Sequence, residues 1–131
     1  MSSTINYNLF QIITELFINN GKLFNFLGAH YTPEYLTKYM IELLNPTYND
    51  IICDPALGTG NLLFGCVEYI NNITGKVNFY GTEIDTDTYK ICSALTKIRY
   101  GKRFINSYNK DVLDNEYKNM FDVIITNPPF A

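Results

Sequence analysis

The chain has 131 residues and a mass of 15.1 kDa, the size of one domain. Hydrophobic residues make up 47%, charged residues 18%, and the formal net charge is −3; that balance suits one packed core and excludes a disordered tail, a collagen-like chain and a strongly basic nucleic-acid binder. There is no apolar run of the roughly eighteen residues a membrane span needs, and the first residues lack the pattern of a secretory signal.

A helix is predicted over residues 4–19, where Leu9, Phe10, Ile12, Ile13, Leu16 and Phe17 share one stripe and Asn20-Gly21 follows as a stop. After a loop at Gly28-Ala29-His30-Tyr31, Thr32, Pro33 and Glu34 read as a helix start: a hydroxyl cap, a proline at the first helical position and an acid in the first turn. That helix should run through Leu44 and stop before Pro46. From there the period changes. A short buried strand is expected over 51–54, a helix over 61–72, a strand over 77–83, a helix over 86–100 capped by Asp85, and further strands over 104–108 and 121–126. Strands alternating with helices of this length imply right-handed β-α-β units and a parallel sheet. The expected organisation is a single α/β domain over 1–131, with leading helices in 1–46 and the α/β part in 47–131.

Four places in this frame carry chemistry. Asp54-Pro55-Ala56-Leu57-Gly58-Thr59-Gly60 joins a strand to a helix. Its glycines allow close approach of a ligand, and the helix start offers free N–H groups; a plain tight turn is the competing reading. No Gly-Lys-Ser/Thr follows, which excludes a P-loop, and the pattern is not a clean G-x-G-x-x-G. Glu83 ends the second strand, where an acid can accept both hydroxyls of an adenosine ribose; otherwise it is a solvated acid. Asp111 follows the third strand and could accept from an adenine amino group. Asn127-Pro128-Pro129-Phe130 follows the fourth. Its prolines stiffen the backbone, so that the Asn127 amide oxygen and the Pro128 carbonyl can both accept from one –NH2 group while Phe130 offers a face for stacking a base. Cys53, Cys66 and Cys92 show no C-x-x-C spacing, and with His30 as the single histidine no metal site is expected. They read as reduced, mostly buried thiols of a cytoplasmic protein.

Taken in order, Thr32-Pro33, Asp54 to Gly60, Glu83, Asp111 and Asn127-Pro-Pro-Phe130 resemble a Class I S-adenosylmethionine methyltransferase. More closely, they resemble the gamma-class adenine-N6 DNA methyltransferases, in particular the methylation subunit of type I restriction-modification systems. The resemblance covers residues 28–130 and departs at Leu57, where that family often has Cys, and at Asn61, where a second Gly is common. It implies a Rossmann-like sheet in the order 3-2-1-4 and S-adenosyl-L-methionine as cofactor. Tyr31, Thr32 and Pro33 would lie by the cofactor's carboxylate. Asp54, Ala56, Gly58 and Gly60 would cradle its methionine part. Glu83 and Ile84 would hold ribose and adenine, and Asp111 would meet the adenine amino group. Asn127 and Pro128 would bind the target adenine, Pro129 would stiffen the turn and Phe130 would stack on the base. The resemblance further implies an incomplete catalytic domain, with DNA as partner through a recognition region outside this sequence. A complementing polypeptide or self-association is expected along the edge of the fourth strand, and little turnover by the chain alone. The same fold acting on RNA or on a protein glutamine, and a non-catalytic remnant that binds cofactor or partner, stay open. The cluster Lys97, Arg99, Lys102, Arg103 and Lys110 reads either as a phosphate contact or as a solvated face.

Overall fold

The computed structural model describes residues 32–70, 78–100, 105–114, 117 and 119–129. The helix expected over 4–19, Tyr31, the end of the helix expected over 61–72, Lys102, Arg103 and Phe130 lie outside them.

Helix α1 spans Glu34–Leu44. It begins one residue later than the pattern of Thr32 and Pro33 suggests. Pro33 occupies the cap position with φ −56° and ψ 145°, and its carbonyl accepts the N–H groups of Leu36 (3.0 Å) and Thr37 (2.9 Å). Among the described residues no side chain caps this end, so the Thr32 hydroxyl is not the cap. At the other end Asn45 turns left-handed (φ 45°) and donates its N–H to Ile41, closing the helix before Pro46.

The α/β part follows in alternation: β1 Ile52–Asp54, α2 Asn61–Ile70, β2 Phe79–Glu83, α3 Thr86–Tyr100, β3 Asn106–Asn109, a 3-10 turn Val112–Asp114 and β4 Val123–Ile124. All strand pairs are parallel and the order is β3-β2-β1-β4, the order the resemblance implies. Cys53 stands opposite Tyr80 on one side and Ile124 on the other. The order therefore reverses at β1, and the chain leaves β1 and β4 on either side of the switch point, where open α/β sheets bind ligands. The 3-10 turn was not expected. β4 is shorter than 121–126, although the Asp122 N–H to Ile51 and the Ile125 N–H to Cys53 carry the backbone pairing one residue past each end. The Asp122 carboxylate also accepts the Ile51 N–H at 2.8 Å, which pins the start of β4 to that of β1.

The core explains why the run Ile51-Ile52-Cys53 reads as a buried strand: every β1 residue is buried, with α2 laid over it through Leu62, Leu63, Phe64, Cys66 and Val67. Ile105 and Ile125 complete this cluster from beside the outer strands. Helix α1 packs on α2 at Gly65, where a Cβ would come within 2.6 Å of Ile41 Cδ1. The three cysteines are buried as expected. Burial, reinforced by the charge of Asp54, pushes the Cys53 and Cys66 thiols up to about 12. Among the described residues no helix is long and apolar enough to cross a membrane.

Candidate cofactor and acceptor site

Asp54 ends β1 with only 1% of its surface exposed. Its Oδ1 accepts the Ala56 N–H at 3.0 Å, the Asx turn that starts the glycine loop. Burial pushes its carboxyl up to about 7 and the charge of Glu83 acts in the same direction; Thr126 and the Ala56 N–H oppose them. The Thr126 hydroxyl is buried near this carboxyl and has no well-aligned hydrogen bond among the described residues. It links the end of β1 to the residue just before Asn127.

The loop then folds back on β2. Leu57 donates its N–H to the Thr82 carbonyl (2.8 Å) and buries its side chain against Gly81, where a Cβ would lie 2.6 Å from Leu57 Cδ1. Gly58 and Gly60 both have positive φ, +55° and +93°. Their surroundings differ. A Cβ on Gly60 would meet Cys92 Sγ at 2.9 Å and the Phe64 ring at 3.0 Å, whereas one on Gly58 would meet nothing within 4 Å among the described residues. Gly60 is thus demanded by packing, and Gly58 by backbone conformation at a face that is open.

Glu83, at the end of β2, closes the arrangement. Its Oε2 accepts the Gly58 N–H and its Oε1 the Asp85 N–H, each at 2.8 Å. The carboxylate is therefore held rather than freely solvated, and each oxygen keeps a lone pair for a further donor. Asp85 caps α3 through the Thr88 N–H at 2.7 Å, and that bond holds its own carboxyl below the usual range. Ile84 between them is 66% exposed, an apolar face beside the Glu83 carboxylate. Asn109 and Lys110 tie the end of β3 to the same place, donating from Nδ2 and the backbone N–H to the Glu83 carbonyl at 2.9 and 3.1 Å.

Asp111 starts the 3-10 turn: its Oδ1 accepts the Leu113 N–H at 2.9 Å. The structure thus gives it a local role that its position after β3 did not announce. Lys110 lies over the Tyr108 ring at 5.1 Å, and Arg99 pairs with Glu68 (3.2 Å) and covers the Phe64 ring at 5.0 Å. These two cations of the expected basic cluster are engaged with the protein's own side chains.

Beyond β4, Asn127 donates from Nδ2 to Oγ1 of Thr32 at 3.1 Å, while Pro128 and Pro129 are exposed. The structure thus brings Asp54, Ala56, Gly58, Gly60 and Glu83 into one hydrogen-bonded turn, with Ile84 beside it, and brings Thr32 to Asn127. Sequence reasoning missed Thr126 and the Thr32–Asn127 contact. A hydroxyl residue closing the apolar run Val123-Ile124-Ile125, directly before Asn127, was the available signal for the first, and nothing local marked the second.

The sequence profile of the N-6 DNA methylase family matches residues 9–131. A type I restriction enzyme methylase subunit of Escherichia coli is 27% identical over 99% of this chain and 29% of its own length. One from Methanocaldococcus jannaschii is 30% identical over 79% of this chain and 19% of its own. Among solved structures, the methyltransferase subunit of a type I restriction-modification system from Streptococcus thermophilus superposes with a TM-score of 0.61 at 27% identity, covering 78% of this chain and 24% of that one. The chain therefore spans under a third of the length of these relatives.

Proposed function

The chain belongs to the N-6 DNA methylase family, and from that premise we propose that it is the cofactor-binding and amine-binding part of an enzyme that methylates the exocyclic nitrogen of adenine in DNA. The observation that carries this reading is the Glu83 carboxylate, set by the Gly58 and Asp85 N–H groups at the open face of the glycine loop.

The residues present fit S-adenosyl-L-methionine. The open face at Gly58 leaves room for a ligand against the loop backbone. Each oxygen of Glu83 keeps acceptor capacity for one hydroxyl of a ribose diol, and exposed Ile84 offers a face for adenine. Asp54, Ala56, Gly58 and Gly60 would hold the methionine part, Thr32 and Pro33 would lie towards its carboxylate, and Asp111 would meet the adenine amino group. When bound, the cofactor supplies an electrophilic methyl group on a sulfonium.

The chain's own residues supply positioning. The exocyclic amine of adenine is a poor nucleophile because its lone pair is delocalised into the ring. Two acceptors on its hydrogens, Asn127 Oδ1 and the Pro128 carbonyl, favour a pyramidal nitrogen whose lone pair is free to attack. Pro129 stiffens the turn and Phe130 stacks on the base, which must leave the duplex to reach them. DNA is the macromolecular partner in this reading, with recognition supplied by residues outside this sequence. The outer edge of β4 is the natural place for a complementing polypeptide or a second copy, in a cytoplasmic setting.

Two measurements test it. Calorimetry with S-adenosylmethionine on the folded chain should show binding, and its absence would remove the cofactor assignment. Transfer of labelled methyl groups to DNA, RNA and protein, with a complementing C-terminal piece supplied, should label adenine in DNA and vanish in Asn127→Ala. Labelling of RNA or of a glutamine would move the substrate assignment instead.

A further inference from the structure

We propose that Thr32 is a positioning residue for the target amine: by accepting from Nδ2 of Asn127 it aims Oδ1 of that amide at the amine. The inference rests on the acceptor reading of Asn127 given above.

A primary amide has two ends of nearly the same shape and opposite hydrogen-bonding sense. Only the oxygen can accept from an –NH2 group; the nitrogen would set donor against donor. The prolines at 128 and 129 restrain the backbone around this point, but they leave the terminal torsion of Asn127 with its roughly two-fold freedom. Something outside the Asn-Pro-Pro turn must choose the end. Oγ1 of Thr32 stands 3.1 Å from Nδ2, and Oδ1 has no partner among the described residues.

Thr32 is built for this contact. It is 4% exposed, so its hydroxyl is not exchanged freely for water. Pro33 restricts its backbone to extended conformations. Thr32 lies one residue before the cap position, which Pro33 fills, and α1 starts on the Pro33 carbonyl, which leaves the Thr32 hydroxyl for Asn127. The two residues are 95 positions apart in sequence, and α1 is carried to the sheet by its packing on α2 at Gly65. A hydroxyl can serve either end of an amide, and the observed pairing is with the nitrogen end.

The test uses the whole chain, 15N-labelled, as wild type, Thr32→Ser, Thr32→Val and Asn127→Ala, with thermal melts to establish folding. In wild type and Thr32→Ser, one Nδ2 proton of Asn127 should be shifted downfield and slowed in exchange, and in Thr32→Val both should resemble an exposed amide. Adenosine is then titrated with the cofactor side saturated by S-adenosylhomocysteine. Thr32→Val should weaken adenosine about fivefold, the scale of one hydrogen bond, while Thr32→Ser restores it, every variant being held at saturating S-adenosylhomocysteine so that a change in affinity on the cofactor side does not enter the comparison. A Thr32→Val chain that keeps the bonded Nδ2 proton or binds adenosine like wild type overturns the proposal, as does an amide found with Oδ1 towards Thr32. If the Nδ2 signature responds as expected but adenosine binds equally to wild type and Asn127→Ala, the acceptor reading of Asn127 fails and takes the purpose of Thr32 with it, while the hydrogen bond stands.

Discussion

Around the ends of β1 and β2, the N–H groups of Ala56, Leu57, Gly58 and Asp85 are all bound by residues within the same two strand ends and their loops. At the exit of β4, the Asn127 side chain is bound by Thr32 alone among the described residues, across the molecule, and the two prolines that follow stand exposed. The first region keeps its shape by a closed set of bonds between backbone N–H groups and acceptors at the two neighbouring strand ends. The second borrows its shape from another element. Changes on the first side should therefore register in folding and cofactor affinity together, and changes on the second in handling of the target base with the fold intact.

The largest effect on the first side should come from Asp54. Its folded carboxyl titrates near 7 because it is buried, against 3.8 for an ordinary carboxyl. Below pH 3.8 both folded and unfolded chains hold the proton. Between 3.8 and about 7 only the folded chain holds it, so stability falls as pH rises, by about 4 kcal/mol across the window. Asp54→Asn keeps the acceptor for Ala56 and should flatten that dependence in urea melts recorded from pH 4 to 8. A wild-type chain with the same pH profile as Asp54→Asn would mean that the carboxyl is ionised in the fold.

The two loop glycines sharpen the comparison within one turn. Gly60→Ala sets a methyl against Cys92 and Phe64 at a positive φ and should cost about 2–4 kcal/mol of stability. Gly58→Ala should cost only about 1 kcal/mol, since its methyl points into open space. Its main effect should be on cofactor affinity, read by calorimetry. Equal destabilisation by the two substitutions would erase the distinction between a packed and an open face.

Glu83→Ala removes the acceptor of both Gly58 and Asp85. S-adenosylmethionine binding should weaken by about 1.5–3 kcal/mol, the scale of charge-assisted hydrogen bonds. Cofactor affinity unchanged in a folded Glu83→Ala chain would break the assignment of this side.

The smallest effect belongs to Asp111. Asp111→Asn retains an oxygen for the Leu113 N–H, so the 3-10 turn should hold. Cofactor affinity should fall by less than about 1 kcal/mol, the net worth of a single hydrogen bond. A change in thermal stability larger than the change in affinity would leave Asp111 as a turn residue only.

What the sequence made legible follows the same division. The run Ile51-Ile52-Cys53-Asp54 was legible as a strand because an apolar run that short and that bounded has few other uses; the strand itself starts at Ile52, and the structure buries all of it. Asp85 was legible as a cap because capping is a local contact, and it binds the Thr88 N–H. Glu83 was legible by its place at a strand end, but its bonds to Gly58 and Asp85 were not, since a backbone N–H carries no mark in the sequence. Thr32 misled. The local rule assigns a hydroxyl before Pro-Glu to helix capping, and the partner that claims it lies 95 residues away. β4 is shorter than the run Val123-Ile124-Ile125 suggests, because apolarity does not say where a ladder stops.

The seat of Leu57 on Gly81 has a bearing on how such a chain can change over time. The two residues share one volume: the leucine fills the space that any side chain at 81 would need. Neither position can drift alone. A smaller residue at 57 opens a hole above β2 that a residue larger than glycine at 81 can occupy, while enlargement at 81 with Leu57 in place meets a wall. Substitution histories at these two positions should be correlated although neither side chain takes part in chemistry, and a designer altering this loop has to treat them as a single unit of inheritance.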